Sequence, residues 1–142
     1  MKYILDTNIC IYWLKGHTKI EQKILEVGFE NVGTTIITIA ELYYGAYKSK
    51  KVETNLENLR KLEDKIHILQ TSNRVGEHFG KTKVILEEKG KIIEDADILI
   101  ASIVFTNNSI LVTNNPSHFE RIEGLQVKNW MKDDVSKRNK NN

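Results

Sequence analysis

Residues 3–10 read YILDTNIC, a short apolar run that ends abruptly on an aspartate. Tyr3, Ile4 and Leu5 have the composition of a buried β-strand, whereas Asp6 and the two residues after it are polar. A carboxylate is costly to bury, so its position directly after a core strand needs a reason. Either the polar residues cap a following helix, or the acid belongs to a functional site at the end of the strand.

The rest of the chain alternates strand-like runs with helical periodicity. Strands are predicted at 3–6, 31–35, 66–69, 109–113 and 124–127. Helices are predicted at 8–14, 19–28, 38–49, 55–65, 73–90 and 96–107. This alternation predicts an α/β fold, with a central, mostly parallel β-sheet flanked by α-helices. One proline, Pro116, and no repeat or flexible linker indicate a single domain.

Composition narrows the class of protein further. Of 142 residues, 40% are hydrophobic and 28% are charged, as in soluble globular proteins. No apolar run approaches the roughly 18 residues that cross a bilayer, and the N-terminus lacks the pattern of a secretory signal. The single cysteine, Cys10, cannot form an internal disulfide. We therefore expect a cytoplasmic protein that makes no membrane contact.

The formal net charge of +2 is concentrated at the C-terminal end. Residues 128–142 contain five basic and two acidic side chains, so residues 1–127 carry about −1. The last residues are polar and contain few apolar anchors. We expect them to form a solvated, disordered tail rather than part of the fold.

Two more acids adjoin core-like sequence. Glu41 falls within TIAELYYGA, and Asp97 opens DILIASIVF, a helix that is apolar on nearly every side. Both have a local explanation as well. Thr38 and Glu41 have the spacing of a capping box, and Asp97 would lie in a first helical turn for which Asp95 is the N-cap.

Candidate helix caps follow two of the predicted strands. After the first strand, Thr7 or Asn8 would cap the helix that follows. After the strand that Thr113 closes, Asn115 would cap a helix begun by Pro116. These interpretations explain each residue singly, but they do not explain why several acids adjoin core elements.

A parallel sheet can bring Asp6, Glu41 and Asp97 to one edge, where the carboxyl ends of the strands meet. Clustered carboxylates repel one another, which raises their pKa values and costs stability unless a cation neutralises them. Oxygen ligands without histidine or cysteine suit Mg²⁺ or Mn²⁺ rather than zinc. No metal-ligand spacing is found at the histidines, which are His17, His67, His78 and His118.

Four segments follow one another in the order of a known family. They are ILDTNICIYWLKG, ITIAELYYGAYKS, GKIIEDADILIASIV and LVTNNPSHFERIEGLQVKNW, and they extend over residues 2 to about 130. The chain resembles PIN-domain ribonucleases, and among them the VapC-like toxins of type II toxin–antitoxin modules. The resemblance implies a PIN-like ribonuclease domain at 1–130, with 131–142 as the basic tail. It also implies a hydrolase, namely a Mg²⁺- or Mn²⁺-dependent endoribonuclease.

The resemblance assigns the catalytic and metal-binding roles to Asp6, Glu41 and Asp97. Supporting roles are implied for Thr7, Asn8, Asp95, Thr113 and Asn115. Asp95 is either an outer ligand or only a cap. Asn115 stands where many PIN domains have a fourth acid, so the choice between one metal ion and two stays open.

The resemblance also implies partners. The substrate is RNA, with transfer RNA and ribosomal RNA loops as candidates, and the protein is expected to form a homodimer. Basic side chains that could hold RNA are Lys48, Lys50, Lys51, Arg74, Lys81 and Arg121. A cognate antitoxin would cover a groove for which the candidate residues are Ile11, Tyr12, Trp13, Tyr43, Tyr44 and Tyr47.

Two alternatives remain at this stage. Another Mg²⁺-dependent phosphohydrolase or a phosphoacceptor domain also places an aspartate after its first strand. Such folds usually add a second acid beside it and a lysine after a later strand, and neither is present in DTN or ILVTNN. The other alternative is a catalytically silent domain that binds a partner, in which the acids are only caps.

Overall fold

One five-stranded sheet organises the computed structural model, which describes residues 3–132. Its strands are β1 (Tyr3–Leu5), β2 (Val32–Thr35), β3 (His67–Leu69), β4 (Ile110–Val112) and β5 (Gln126–Lys128). They lie in the order β3-β2-β1-β4-β5, and every neighbouring pair is parallel. The predicted parallel sheet is confirmed, and all carboxyl ends of the strands lie at the same edge.

Helices connect successive strands. They are α1 (Thr7–Leu14), α2 (Thr18–Val27), α3 (Ile36–Lys48), α4 (Val52–Lys65), α5 (Asn73–Glu88), α6 (Asp95–Thr106) and α7 (Pro116–Phe119). Each predicted strand and helix is found within three residues of its expected bounds. A 3₁₀ turn at Phe29–Asn31 was not expected. The predicted α/β fold is therefore confirmed element by element.

The core consists of two apolar layers, one on each face of the sheet. Ile4 and Leu5 are both fully buried, and they belong to different layers because successive residues of a strand point to opposite faces. Most of α6 is buried as well, from Ile98 to Val104. Its uniform apolar character in the sequence therefore reflects a helix that runs through the core.

Helices α1 and α3 begin directly at the ends of β1 and β2, which corrects two of the predicted caps. Asp6 itself is the N-cap of α1, so neither Thr7 nor Asn8 serves in that position. Thr35 is the N-cap of α3, and its hydroxyl accepts a hydrogen bond from the Thr38 N–H at 3.1 Å. The predicted capping box from Thr38 to Glu41 is wrong, because the helix starts at the end of β2.

Residues 1–2 and 133–142 lie outside the described part of the chain, so the predicted disorder of the 131–142 tail stays a prediction. Just before it, Trp130 is buried and lies 5.4 Å from the ring of Tyr3, measured between centroids. Cys10 is buried, and burial raises the pKa of its thiol to about 12. Between residues 3 and 132, no helix combines the length and the apolar character that a membrane span needs.

Thr34→Val should lower the free energy of unfolding by about 1–2 kcal/mol, because the fully buried hydroxyl donates a hydrogen bond to the carbonyl of Leu5 at 2.7 Å. Valine has the same shape and lacks the donor. Urea denaturation measures the change. The matched control is Thr54→Val at an exposed position of α4, expected to change the free energy by less than roughly 0.5 kcal/mol. Equal losses in both variants would contradict this role of the hydroxyl.

Candidate active site

A cavity of about 370 Å³ lies at the carboxyl edge of the sheet, beside the ends of β1 and β4 and the start of α6. Its lining consists of Asp6, Thr7, Asn8, Glu41, Glu94, Asp97, Thr113, Asn115, His118 and Phe119. The three acids singled out in the sequence therefore share one cavity. Four of the five expected supporting residues line it too, and Asp95 does not.

Asp6 directly follows the central strand β1 and is buried. Its Oδ1 accepts a hydrogen bond from the Ile9 N–H at 2.9 Å. Burial raises the pKa of Asp6, and the nearby charges of Asp97 and Glu41 raise it further, whereas hydrogen bonds from Thr113 and Ile9 lower it. Asp6 is thus both a helix cap and a member of the acidic cavity.

Glu41 reaches the cavity from the second turn of α3. Its Oε1 accepts a hydrogen bond from the Thr7 hydroxyl at 2.7 Å, and the same hydroxyl lies 3.1 Å from that of Thr38. The Glu41 carboxylate takes no part in capping its own helix, since Thr35 does so. Thr7 instead orients Glu41 toward the end of β1.

Asp97 lies in the first turn of α6, where the helix dipole favours a negative charge. The predicted N-cap role of its neighbour Asp95 is wrong. Glu94 occupies the N-cap position, and Asp95 is the first helical residue, paired with Lys83 at 2.9 Å between Oδ1 and Nζ. Two positions along a helix change the direction of a side chain by more than half a turn, so Asp95 and Asp97 point to different surroundings.

Three cavity residues were missed in the sequence, namely Glu94, His118 and Phe119. His118 Nε2 lies 3.0 Å from Asp97 Oδ2, a contact between α7 and α6. Spacing along the chain does not reveal a pair 21 residues apart. The available signal was the shortness of the segment between Thr113 and Pro116, which keeps α7 beside the end of β4.

None of the six basic side chains predicted to bind RNA lines the acidic cavity. Lys81 and Arg121 both line a separate cavity of about 340 Å³ beside α5. Lys48 lies over the ring of Tyr44, with its Nζ 5.5 Å from the centroid. Their role in RNA binding stays a prediction.

An apolar groove of about 280 Å³ lies between α1, α3 and α4. Glu41 lines this groove as well as the acidic cavity. Of the six residues expected to form an antitoxin groove, only Ile11 lines it, together with Leu14, Leu42, Gly45, Ala46 and Leu59 among others. The aromatic residues of α1 and α3 face elsewhere, because helical periodicity alone does not say which side a groove occupies.

The chemistry of the cavity suits a hard cation. Its polar lining offers carboxylate, amide and hydroxyl oxygens, which are the ligands that Mg²⁺ and Mn²⁺ prefer. Mutual repulsion among Asp6, Glu41 and Asp97 is part of what raises the pKa of Asp6, and a cation would relieve it. Among residues 3–132, no three His, Cys, Asp or Glu side chains already converge closely enough to hold an ion. The oxygen donors of the cavity fit such a metal ion, and these side chains would have to move closer together to bind it.

A parallel sheet with an acidic cavity at its carboxyl edge is the architecture expected of a PIN domain. The family model described as PIN domain matches residues 3–125, which include every residue that lines the cavity. The match therefore covers the whole candidate site.

Comparison with individual proteins shows which branch of the family the chain resembles. The chain is 40% identical to Ribonuclease VapC2 of Rickettsia felis over 134 residues, 93% of this chain and 100% of that protein. It is 31% identical to the tRNA(fMet)-specific endonuclease VapC of Shigella flexneri over 130 residues, 92% and 98% of the two chains. A crystal structure of VapBC2 from Rickettsia felis, bound to a DNA fragment from their promoter, matches with a TM-score of 0.85 and 39% identity over 92% of this chain and 99% of that one. The chain belongs to the PIN-domain family, and within it to the VapC-like proteins.

Asp6→Asn should stabilise the protein in a chelating buffer, and increasingly so as the pH rises. Because burial raises the pKa of Asp6 above its ordinary value of 3.8, the unfolded chain releases this proton at a lower pH than the folded protein does. The resulting contribution to the free energy of unfolding is present below the ordinary pKa and is lost as the pH rises through the folded-state pKa. Asparagine keeps an acceptor for the Ile9 N–H and cannot ionise.

Denaturation of both proteins at several pH values between about 4 and 8 measures this difference. Asp64→Asn, at an exposed position of α4, is the control and should show no such trend. A wild-type protein that loses no stability relative to Asp6→Asn over this range would contradict the raised pKa of Asp6.

Proposed function

We propose that this protein is a divalent-metal-dependent endoribonuclease, the toxin of a type II toxin–antitoxin module, and that the acidic cavity is its catalytic site. The observation that carries the proposal is that Asp6, Glu41 and Asp97 line one cavity at the carboxyl edge of the sheet. A VapC-like PIN domain whose acids were only caps would not need Glu41 there, since Thr35 caps α3. A silent partner-binding domain therefore leaves that side chain unexplained.

Each acid has its own hydrogen-bond donor on the protein. Ile9 and Thr113 hold Asp6, Thr7 holds Glu41, and a histidine lies against Asp97. These acids would hold Mg²⁺ or Mn²⁺, which when bound supplies Lewis acidity toward the phosphodiester and acidifies a water molecule. Asn8 and Asn115 add neutral amides to the same wall, where they can donate to a phosphoryl oxygen or a water.

The substrate is RNA, and hydrolysis would leave a 5′-phosphate and a 3′-hydroxyl. Since the acids make the cavity itself negative, RNA must be held by cations around it. We propose a transfer RNA or ribosomal RNA loop as the target, because unstacked bases in loops are what proteins recognise in RNA. The Shigella relative is described as specific for tRNA(fMet). Sequencing of the 5′ ends that appear after brief expression in cells identifies the target directly.

Asp6→Asn, Glu41→Gln and Asp97→Asn should each reduce Mg²⁺- or Mn²⁺-dependent RNA cleavage by at least about 100-fold, because each removes a charge from the metal site. The measurement is cleavage of a labelled RNA at saturating metal. Asp95→Asn is the matched control, since Asp95 lies two residues from Asp97 and pairs with Lys83 outside the cavity. Near-normal cleavage by two of the three cavity variants would refute the shared site.

A cognate antitoxin is the proposed protein partner, as in the VapBC complexes that this fold matches. The apolar groove between α1, α3 and α4 is the proposed docking site, because it opens beside Glu41. A helix or extended segment seated there would cover one side of the acidic cavity and could offer a cation to it. Homodimer formation through another surface is part of the same proposal.

Gly45→Gln should weaken inhibition by the cognate antitoxin by roughly tenfold or more, because the new side chain would fill the groove. A Cβ at Gly45 meets no atom within 4 Å, so the helix itself tolerates the substitution. Inhibition is measured relative to each variant's own uninhibited cleavage rate. Gly80→Gln is the control, since a Cβ at that position of α5 is equally free and does not face the groove. Equal inhibition of both variants would place the antitoxin elsewhere.

A further inference from the structure

His118 lines the acidic cavity and contacts one of its acids. Its Nε2 lies 3.0 Å from Oδ2 of Asp97, and the two side chains are 24% and 31% exposed. The histidine ring also packs edge to face against Phe119, with centroids 5.1 Å apart and an interplanar angle of 82°. Phe119 is buried, so the ring of His118 rests on a fixed surface.

The backbone around His118 limits its position further. Helix α7 has four residues, begins with Pro116 and follows β4 after three residues. The Asn115 N–H donates to the Thr113 hydroxyl at 3.1 Å, which ties the connection to the end of the strand. The same Thr113 forms a hydrogen bond with Asp6. One short segment therefore contacts two of the three acids, through Thr113 and through His118.

We propose that His118 is a positioning residue for the ribonuclease site. Its Nε2–H donates to Oδ2 of Asp97 and holds that carboxylate toward Asp6, which leaves Oδ1 available to a cation. The inference rests on the proposed function, because it assigns Asp97 to the metal site. Carboxylates that ligate metals are commonly hydrogen-bonded in this way, and loss of such a partner typically lowers metal affinity or activity about 10- to 100-fold.

A purely structural contact is the competing interpretation. In that case the pair between α6 and α7 would stabilise the fold, and its loss would lower the melting temperature without affecting metal binding. A positioning role predicts a different result. The metal response must change even where the melting temperature in chelator does not.

Three substitutions at one position separate these roles. Glutamine carries its amide nitrogen four bonds from Cα, the same number as Nε2 of histidine, so His118→Gln can still donate to Asp97. His118→Asn carries its nitrogen one bond closer, where Nδ1 was, and His118→Ala has no donor. His67→Ala is the control, since His67 is exposed on β3 and lines none of the cavities described above.

The measurements are kcat and KM for a labelled RNA, and the melting temperature at increasing Mn²⁺ against a chelator baseline. We expect His118→Ala and His118→Asn to lower kcat about 10- to 100-fold with little change in KM, and to need correspondingly more Mn²⁺ for the same thermal shift. His118→Gln should recover most of both quantities, and His67→Ala should match wild type. Recovery by glutamine and failure of asparagine together support the proposal.

Two results would overturn it. One is a His118→Ala protein whose kcat and Mn²⁺ response equal those of wild type, whatever its melting temperature. The other is a His118→Gln protein as impaired as His118→Ala although both retain the wild-type melting temperature in chelator. A wild-type protein with neither cleavage nor a thermal response to Mn²⁺ would instead refute the proposed function, and this inference with it.

Discussion

Burial of the Asp6 carboxylate beside two other acids is the constraint to which the rest of the site responds. The parallel order of the strands places the end of β1 beside the ends of β2 and β4, so residues that follow those strands become neighbours. Two buried apolar layers hold that sheet, and Ile4 and Leu5 anchor the central strand in both of them. The core thereby supplies the free energy needed to keep Asp6 buried near Glu41 and Asp97.

Capping a helix and lining the acidic cavity are compatible uses of the Asp6 carboxylate. Asp6 accepts the Ile9 N–H with one oxygen, as any N-cap would, and still lines the acidic cavity. A helix that starts immediately after a strand needs an acceptor at that position, and a carboxylate oxygen meets the need. The opposition between a capping role and a site role, posed by the sequence, therefore disappears for Asp6. Asp95 has neither position, since Glu94 is the N-cap and Asp95 does not line the cavity.

What the sequence predicted well depended on periodicity, and what it missed depended on contacts between elements. The alternation of apolar runs predicted all five strands and the buried course of α6. The N-cap of α6 was misplaced by one residue, because aspartate and glutamate at neighbouring positions carry similar signals. His118 was missed because its partner lies 21 residues away on another helix. The aromatic residues expected in the groove lie on other helical faces, which spacing alone cannot distinguish.

Glu41 lines both the apolar groove and the acidic cavity, which has a thermodynamic consequence. A ligand that reorients this side chain in either place changes the free energy of binding in the other. Linkage requires that the effect be reciprocal: if an ion in the cavity alters the affinity of the groove by some factor, an occupant of the groove alters the affinity for the ion by the same factor. The proportion of protein with an occupied groove would then depend on the concentration of free divalent cation.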